Sequence, residues 1–176
     1  MQTPGSANPK PILVLGVGNL LLRDDGAGLE MLSRLRRYSD QWGDAVEFVD
    51  GGTGGLTLLG EVSGRRAVVV LDAVRTGAEA GTVHILRTND VLTFGRGRTS
   101  TAHESNATEL FRISELLGER SEELVAIGIE PDLVETGIGL SERVEGAMES
   151  AVCSARLIVG ELVAQMVGPL PMVAAR

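Results

Sequence analysis

Short apolar stretches alternate along the chain with longer segments whose apolar residues recur at helical spacing. A continuous apolar run closed by glycine or polar residues is typical of a strand that is buried on both faces of a sheet. The pattern therefore predicts five β-strands, at Ile12–Val17, Val46–Val49, Ala67–Leu71, Thr82–Leu86 and Leu124–Ile129.

The segments between these strands predict helices of different lengths. Three of them carry apolar residues three or four positions apart, which indicates amphipathic helices. The predicted helices are Gly26–Arg37, one or two turns within Leu56–Val62, Glu104–Leu117 and Ser141–Met166. Strands that alternate with helices favour a single α/β domain with a mostly parallel sheet.

Composition limits what such a domain can do. The chain has 176 residues, of which 43% are apolar, and this is enough for one domain with a buried core. We expect the domain to span residues 12–167, with flexible polar tails at 1–11 and 168–176. A net charge of −8 and only 3% aromatic residues disfavour nucleic acid as a partner.

The cysteine count and the lengths of the apolar runs bear on disulfide bonding and on cellular location. A single cysteine excludes a disulfide framework or a cysteine-based zinc site within one chain. The longest apolar runs are far shorter than the ~20 residues that cross a bilayer, and the N-terminus lacks the apolar stretch of a signal peptide. We therefore expect a cytoplasmic protein that does not bind membranes, and we expect a monomer.

In open parallel sheets the functional site lies beyond the carboxyl ends of the strands. One such loop begins with Gly16-Val17-Gly18, which suggests a dinucleotide-binding fingerprint. The third glycine of that fingerprint is missing, because Leu21 occupies its position. The adjacent Asp24 and Asp25 would also repel a pyrophosphate, so the nucleotide interpretation is disfavoured.

Three side chains on different loops could instead form a metal site. Asp25, Asp72 and His103 offer two oxygen ligands and one nitrogen ligand, which suits an open site for a divalent first-row metal. Each also has a structural alternative. Asp24 or Asp25 could cap the following helix, Asp72 could bind loop amides, and His103 could cap a helix or lie on the surface.

Five stretches of the chain carry a recognisable pattern. They are ILVLGVGNLLLRDDGAGLEML (Ile12–Leu32), VDGGTGGLTLL (Val49–Leu59), VVVLDAV with GTVHIL (within Val68–Leu86), TAHESNATELF (Thr101–Phe111) and AIGIEPDLVETGIGLSERV (Ala126–Val144). Together, in this order and over about residues 12–165, they resemble the nickel–iron hydrogenase maturation proteases. The resemblance implies a five-stranded, twisted, mostly parallel sheet between helices, in three layers. It also implies an endopeptidase that removes a C-terminal extension from the hydrogenase large-subunit precursor after nickel insertion.

By this resemblance, the metal-contacting residues of the family fall on Asp25, Asp72 and His103. Relatives often carry Glu where this chain has Asp25, and the shorter side chain would set the metal deeper in the cleft. Position 24 also carries the family's acid, so Asp24, Asp25 and Asp72 are the candidate catalytic residues.

The resemblance leaves the chemistry open between two kinds of peptidase. A bound metal could activate water and polarise the carbonyl, or paired carboxylates could act as acid and base in the manner of aspartic peptidases. We favour nickel carried by the substrate as a recognition element. The alternatives are a conventional metallopeptidase and a non-catalytic chaperone that binds nickel or the metalloprotein.

The glycine-rich segment Gly51–Gly55 lies beside the same edge. We expect it to dock an extended stretch of the substrate, for example as an added strand. The structural alternative is a tight turn that needs glycine for positive φ.

Overall fold

Five strands form one mixed sheet in the computed structural model, which describes residues 10–88, 90 and 121–167. The strand order is β2-β1-β3-β5-β4. All neighbouring pairs are parallel except β4 with β5, which is antiparallel. The strands span Ile12–Val17 (β1), Val46–Gly52 (β2), Ala67–Ala73 (β3), Val83–Arg87 (β4) and Glu123–Ile129 (β5). The predicted mostly parallel five-stranded sheet is confirmed, and the domain bounds 12–167 stay a prediction.

Three α-helices accompany the sheet in the described residues: α1 (Ala27–Leu35), α2 (Leu59–Val62) and α3 (Glu142–Val167). None of the helices in this part of the chain is long and apolar enough to cross a membrane. The first predicted helix is shorter than expected, because 3₁₀ segments precede and follow α1. The predicted helix Glu104–Leu117 lies outside the described residues, as do nearly all residues of the two predicted tails.

The sheet buries a different set of side chains on each face. Along β3, Val69 and Leu71 belong to the apolar cluster that includes α1 and α3. The alternate residues Val68 and Val70 pack in a second cluster with Val62 of α2. Because successive side chains of a strand point to opposite faces, the apolar run of β3 reflects burial on both sides.

Strand β3 is longer than the sequence pattern indicated. It continues past Leu71 because Asp72 and Ala73 pair in parallel register with Gly128 and Ile129 of β5. The sequence pattern predicted Asp72 just after the strand, whereas in the structure Asp72 is the second-last residue of β3. Its backbone is therefore fixed by the sheet rather than by a loop.

A close contact at Gly28 sets α1 against the carboxyl ends of two strands. A Cβ atom at this position would lie 2.2 Å from the carbonyl oxygen of Leu71 and 2.3 Å from that of Val17. Only glycine permits this approach, since no side-chain atom can occupy that space. The contact brings the loop before α1 close to the end of β3.

Replacement of Gly28 by alanine should therefore destabilise the fold. Because both obstacles are backbone carbonyls, the helix must shift, and we expect a loss of about 1–3 kcal/mol in unfolding free energy. Gly160 in the interior of α3 is a matched control, since a Cβ there would meet nothing within 4 Å. Gly160→Ala should stabilise the protein by about 0.5–1 kcal/mol. Equal effects of the two substitutions in denaturant melts would contradict the close packing of α1.

Candidate active site

The carboxylate of Asp24 is fully buried and binds four donors from one distant loop. Its Oδ2 accepts the backbone N–H groups of Asp132 (2.9 Å) and Leu133 (2.7 Å) and the hydroxyl of Ser141 (2.8 Å). Its Oδ1 accepts the N–H of Ser141 at 2.7 Å. The Ser141 hydroxyl oxygen also accepts the N–H of Val144 at 3.4 Å, so the residue bound to Asp24 caps helix α3.

These contacts give Asp24 a structural role. Burial raises the pKa of Asp24, but the combined hydrogen bonds from Leu133, Ser141 and Asp132 outweigh burial and hold the pKa below its ordinary value. A cap on the helix that follows is not observed, because neither α1 nor the 3₁₀ segment before it has a side-chain cap. The catalytic role considered for Asp24 stays a prediction, and all of these bonds serve to hold a loop.

Further bonds join the same two loops, 19–26 and 131–141, into a unit that we call the clamp. Leu22 and Gly137 form an isolated parallel bridge, and the N–H of Gly137 donates to the carbonyl of Leu21 at 2.9 Å. The N–H of Arg23 donates to the carbonyl of Gly137, and the Arg23 side chain pairs with Glu135 at 3.1 Å. Arg23 has a φ of 47°, a strained conformation for a non-glycine residue, and these contacts maintain it.

Asp25 follows directly after Asp24 but has a different environment. Its side chain is half-buried, and its backbone carbonyl accepts the N–H of Asn19 at 3.2 Å. Gly18, with a φ of 132°, lies so close to that carbonyl that a Cβ there would be 1.9 Å from the oxygen. The backbone of Asp25 is thus fixed, while its side chain is not used by the clamp.

Asp72 is a buried carboxyl group at the carboxyl end of β3. It is 7% exposed, and its Oδ1 accepts the N–H of Ala73 at 2.8 Å. Burial raises the pKa of Asp72, the Ala73 N–H lowers it in part, and the charge of Asp25 raises it, so that the pKa is about 8. Two of the three predicted metal ligands are therefore within electrostatic range of each other.

The third predicted ligand, His103, lies outside the described residues. Within residues 10–88, 90 and 121–167, no group of three His, Cys, Asp or Glu side chains is placed to hold a metal ion. Asp25 and Asp72 together suit the binding of a cation. A cation beside them would offset the cost of burying a charged Asp72 and the repulsion between the two carboxylates.

A third buried carboxylate at this edge, besides Asp24 and Asp72, was not singled out from the sequence. Glu130 follows β5 and accepts the N–H groups of Thr76 and Gly77 and the Thr76 hydroxyl, at 2.8–3.1 Å. Its Oε2 also lies 3.1 Å from Nε2 of His84 in β4, so that histidine has a structural partner. The turn after Asp72 is therefore held by Glu130. The sequence shows an acidic residue after β5, but no local pattern indicates that it binds the turn at Thr76 and Gly77.

The glycine-rich turn beside β2 is shaped by backbone conformation. Gly52 has a φ of 48° and Gly55 a φ of 52°, whereas Gly54 has an ordinary φ of −63°. The N–H of Gly52 donates to Oδ1 of Asp50 at 3.0 Å. Positive φ thus accounts for two of these glycines, and docking of the substrate at this turn stays a prediction.

Comparison with known proteins decides the family. The model of the HycI hydrogenase maturation protease family matches residues 29–156. The hydrogenase 2 maturation protease of Escherichia coli (strain K12) is 36% identical over 143 residues, which cover 80% of this chain and 85% of that protein. The chain belongs to the hydrogenase maturation protease family.

Other relatives of this family support the same conclusion. The hydrogenase expression/formation protein HupD of Rhizobium leguminosarum bv. viciae is 31% identical, over 86% of this chain and 77% of HupD. The solved hydrogenase maturating endopeptidase HybD from E. coli superposes with a TM-score of 0.75 at 32% identity, covering 85% of this chain and 92% of HybD. The predicted family and fold are confirmed, and the protein is a peptidase of hydrogenase maturation.

The neighbouring acids Asp24 and Asp25 should respond differently to truncation. Asp24→Ala leaves buried N–H donors without an acceptor, and we expect it to cost about 3 kcal/mol or more of unfolding free energy. Asp25→Ala removes no clamp bond and should change the unfolding free energy by less than about 1 kcal/mol. Chemical denaturation of the two purified variants measures both. Similar losses for both would contradict the division of roles.

The Glu130 network should make the fold sensitive to acid. Burial raises the pKa of Glu130, but the hydrogen bonds from Thr76, Gly77 and His84 outweigh it and hold the pKa below its ordinary value of 4.5. The stabilisation by this carboxylate is therefore complete above about pH 4.5 and is lost as the pH falls towards the lowered pKa.

Glu130→Gln should consequently melt at a lower temperature than the wild type at neutral pH, because its neutral amide forms weaker hydrogen bonds. The difference between the two proteins should shrink as the pH is lowered to about 3, in calorimetric scans at several pH values. A difference that stays constant over this range would overturn the assignment.

Proposed function

We propose that this peptidase removes the C-terminal extension of the nickel-loaded large subunit of a nickel–iron hydrogenase. Membership of the hydrogenase maturation protease family supports the substrate class. The observation that supports the proposal within this chain is the placement of Asp25, in the loop after β1, and Asp72, at the end of β3, at the same edge of the sheet and within electrostatic range of each other. A groove between strand ends is also the usual site of chemistry in such folds.

The proposed role of Asp25 and Asp72 is to grasp nickel that the substrate already carries. Both are oxygen donors, and a divalent ion beside them would favour their charged forms despite burial. His103 is the proposed third ligand by family resemblance. A protease that needs the substrate's nickel for recognition would act only on a loaded subunit and would leave an empty one uncut.

Amide hydrolysis needs an activated water and a proton for the leaving nitrogen. In this proposal, carboxylates at the same edge move those protons. Asp25 and Asp72 are better suited to this work than Asp24, whose oxygens already accept four hydrogen bonds. The type of peptidase is thus proposed as carboxylate-dependent and guided by the substrate's metal.

Two alternatives differ in measurable ways. A conventional metallopeptidase would hold its own ion and would cleave precursor with or without nickel once metal is supplied. A non-catalytic chaperone would bind the loaded precursor without shortening it. We also keep the monomer and a cytoplasmic location as predictions.

The deciding experiment uses enzyme freed of metal by a chelator, together with nickel-loaded and nickel-free precursor. We expect the loaded precursor to lose the mass of its C-terminal extension and the nickel-free precursor to stay intact, as measured by intact-protein mass spectrometry. Cleavage of the nickel-free form after addition of metal to the enzyme would support the metallopeptidase instead. Binding without any mass loss would support the chaperone.

Variants of the same assay test the site residues. Asp25→Ala, Asp72→Ala and His103→Ala should each lower the cleavage rate at least about a hundredfold while the protein stays folded. Asp44→Ala is the matched control, because Asp44 is fully exposed and pairs with Lys10 at the surface. A neutral effect at any of the three site residues would remove that residue from the site.

A further inference from the structure

Large apolar side chains are exposed on the clamp. Seven large apolar side chains are exposed among the residues that the structure describes, and four of them lie on the two clamp loops, 19–26 and 131–141. We call these four the apolar rim. They are Leu20 (53% exposed), Leu21 (64%), Leu133 (40%) and Ile138 (85%).

Hydrogen bonds join the loop segments that carry Leu21, Leu133 and Ile138. The carbonyl of Leu21 accepts the N–H of Gly137, the residue directly before Ile138. The carbonyl of Leu133 accepts the N–H of Asp24, whose carboxylate in turn binds the N–H of Leu133. Residues from two loops that are far apart in sequence thus present apolar surface on one rigid unit.

The rim combines an apolar surface with a polar interior: the loops that carry it are held by the hydrogen bonds of the buried Asp24 carboxylate. Isolated exposed leucines are ordinary in proteins, but grouped ones mark interaction sites. Here the two loops are fixed by the buried Asp24 carboxylate, so the apolar surface is held in place before any partner arrives.

The position of the rim indicates its partner. It lies on the same loop as Asp25, which the proposed function places against the substrate's nickel. A second copy of this chain seated there would cover that loop and block access to Asp25. The net charge of −8 carried by the whole chain disfavours an anionic membrane surface as the partner.

We propose that the apolar rim docks an apolar surface of the hydrogenase large-subunit precursor and so places its metal over Asp25 and Asp72. This inference rests on the proposed function, since it takes the precursor as the substrate. The rim supplies affinity and position, and it takes no part in bond cleavage.

The test removes apolar character without adding charge. The double variant Leu21→Asn with Ile138→Asn is compared with Leu157→Asn, because Leu157 is 59% exposed on α3 and lies on neither loop of the clamp. With nickel-loaded precursor, the double variant should raise KM roughly tenfold or more and leave kcat nearly unchanged. Leu157→Asn should match the wild type, and all three proteins should melt at similar temperatures.

A binding measurement separates this proposal from the proposed function. If the wild type cleaves nothing, the proposed function fails, but the Kd of each protein for labelled precursor still tests the rim. A KM and a Kd of the double variant within about twofold of the wild type would overturn the docking proposal. It would also be overturned if the double variant changed only self-association, as measured by sedimentation.

Discussion

The carboxylate of Asp24 is the constraint on which the edge of this sheet depends. A single buried charge binds the N–H groups of three residues and the hydroxyl of one of them, and so joins the loop after β1 to the start of α3. Without that acceptor, the buried donors would have no partner, and each would destabilise the fold. The clamp and the rim therefore depend on this group, together with the backbone bonds between Leu21, Arg23 and Gly137.

Two adjacent aspartates thus divide structure from chemistry. The carboxylate of Asp24 accepts four of the hydrogen bonds that hold the clamp, whereas the side chain of Asp25 takes part in none of the clamp bonds described above. The approach of α1 at Gly28, against the carbonyl oxygens of Leu71 and Val17, brings that loop beside Asp72. Close backbone packing rather than a sequence motif therefore creates the pair of acids that the proposed function uses.

Local sequence patterns predicted most of the fold, because a strand that is buried on both faces of the sheet has a short continuous run of apolar residues. The bounds of β1 agree with the pattern, whereas β3 extends to Ala73 because pairing with β5 continues past the apolar residues. The role of Asp24 could not be predicted, since its partners lie 108 to 117 positions away. The same holds for Glu130, whose partner Thr76 is 54 positions away. The family resemblance pointed to Asp25, Asp72 and His103, and the structure describes the first two.

In the proposed mechanism, Asp25 and Asp72 contact the nickel of the substrate. X-ray absorption at the nickel edge of rapidly frozen mixtures of precursor and enzyme tests this contact most directly. We expect additional oxygen or nitrogen neighbours around nickel with the wild-type enzyme, and their loss with Asp25→Ala. A nickel spectrum that is identical with wild type, with Asp25→Ala and with no enzyme at all would contradict the proposed contact.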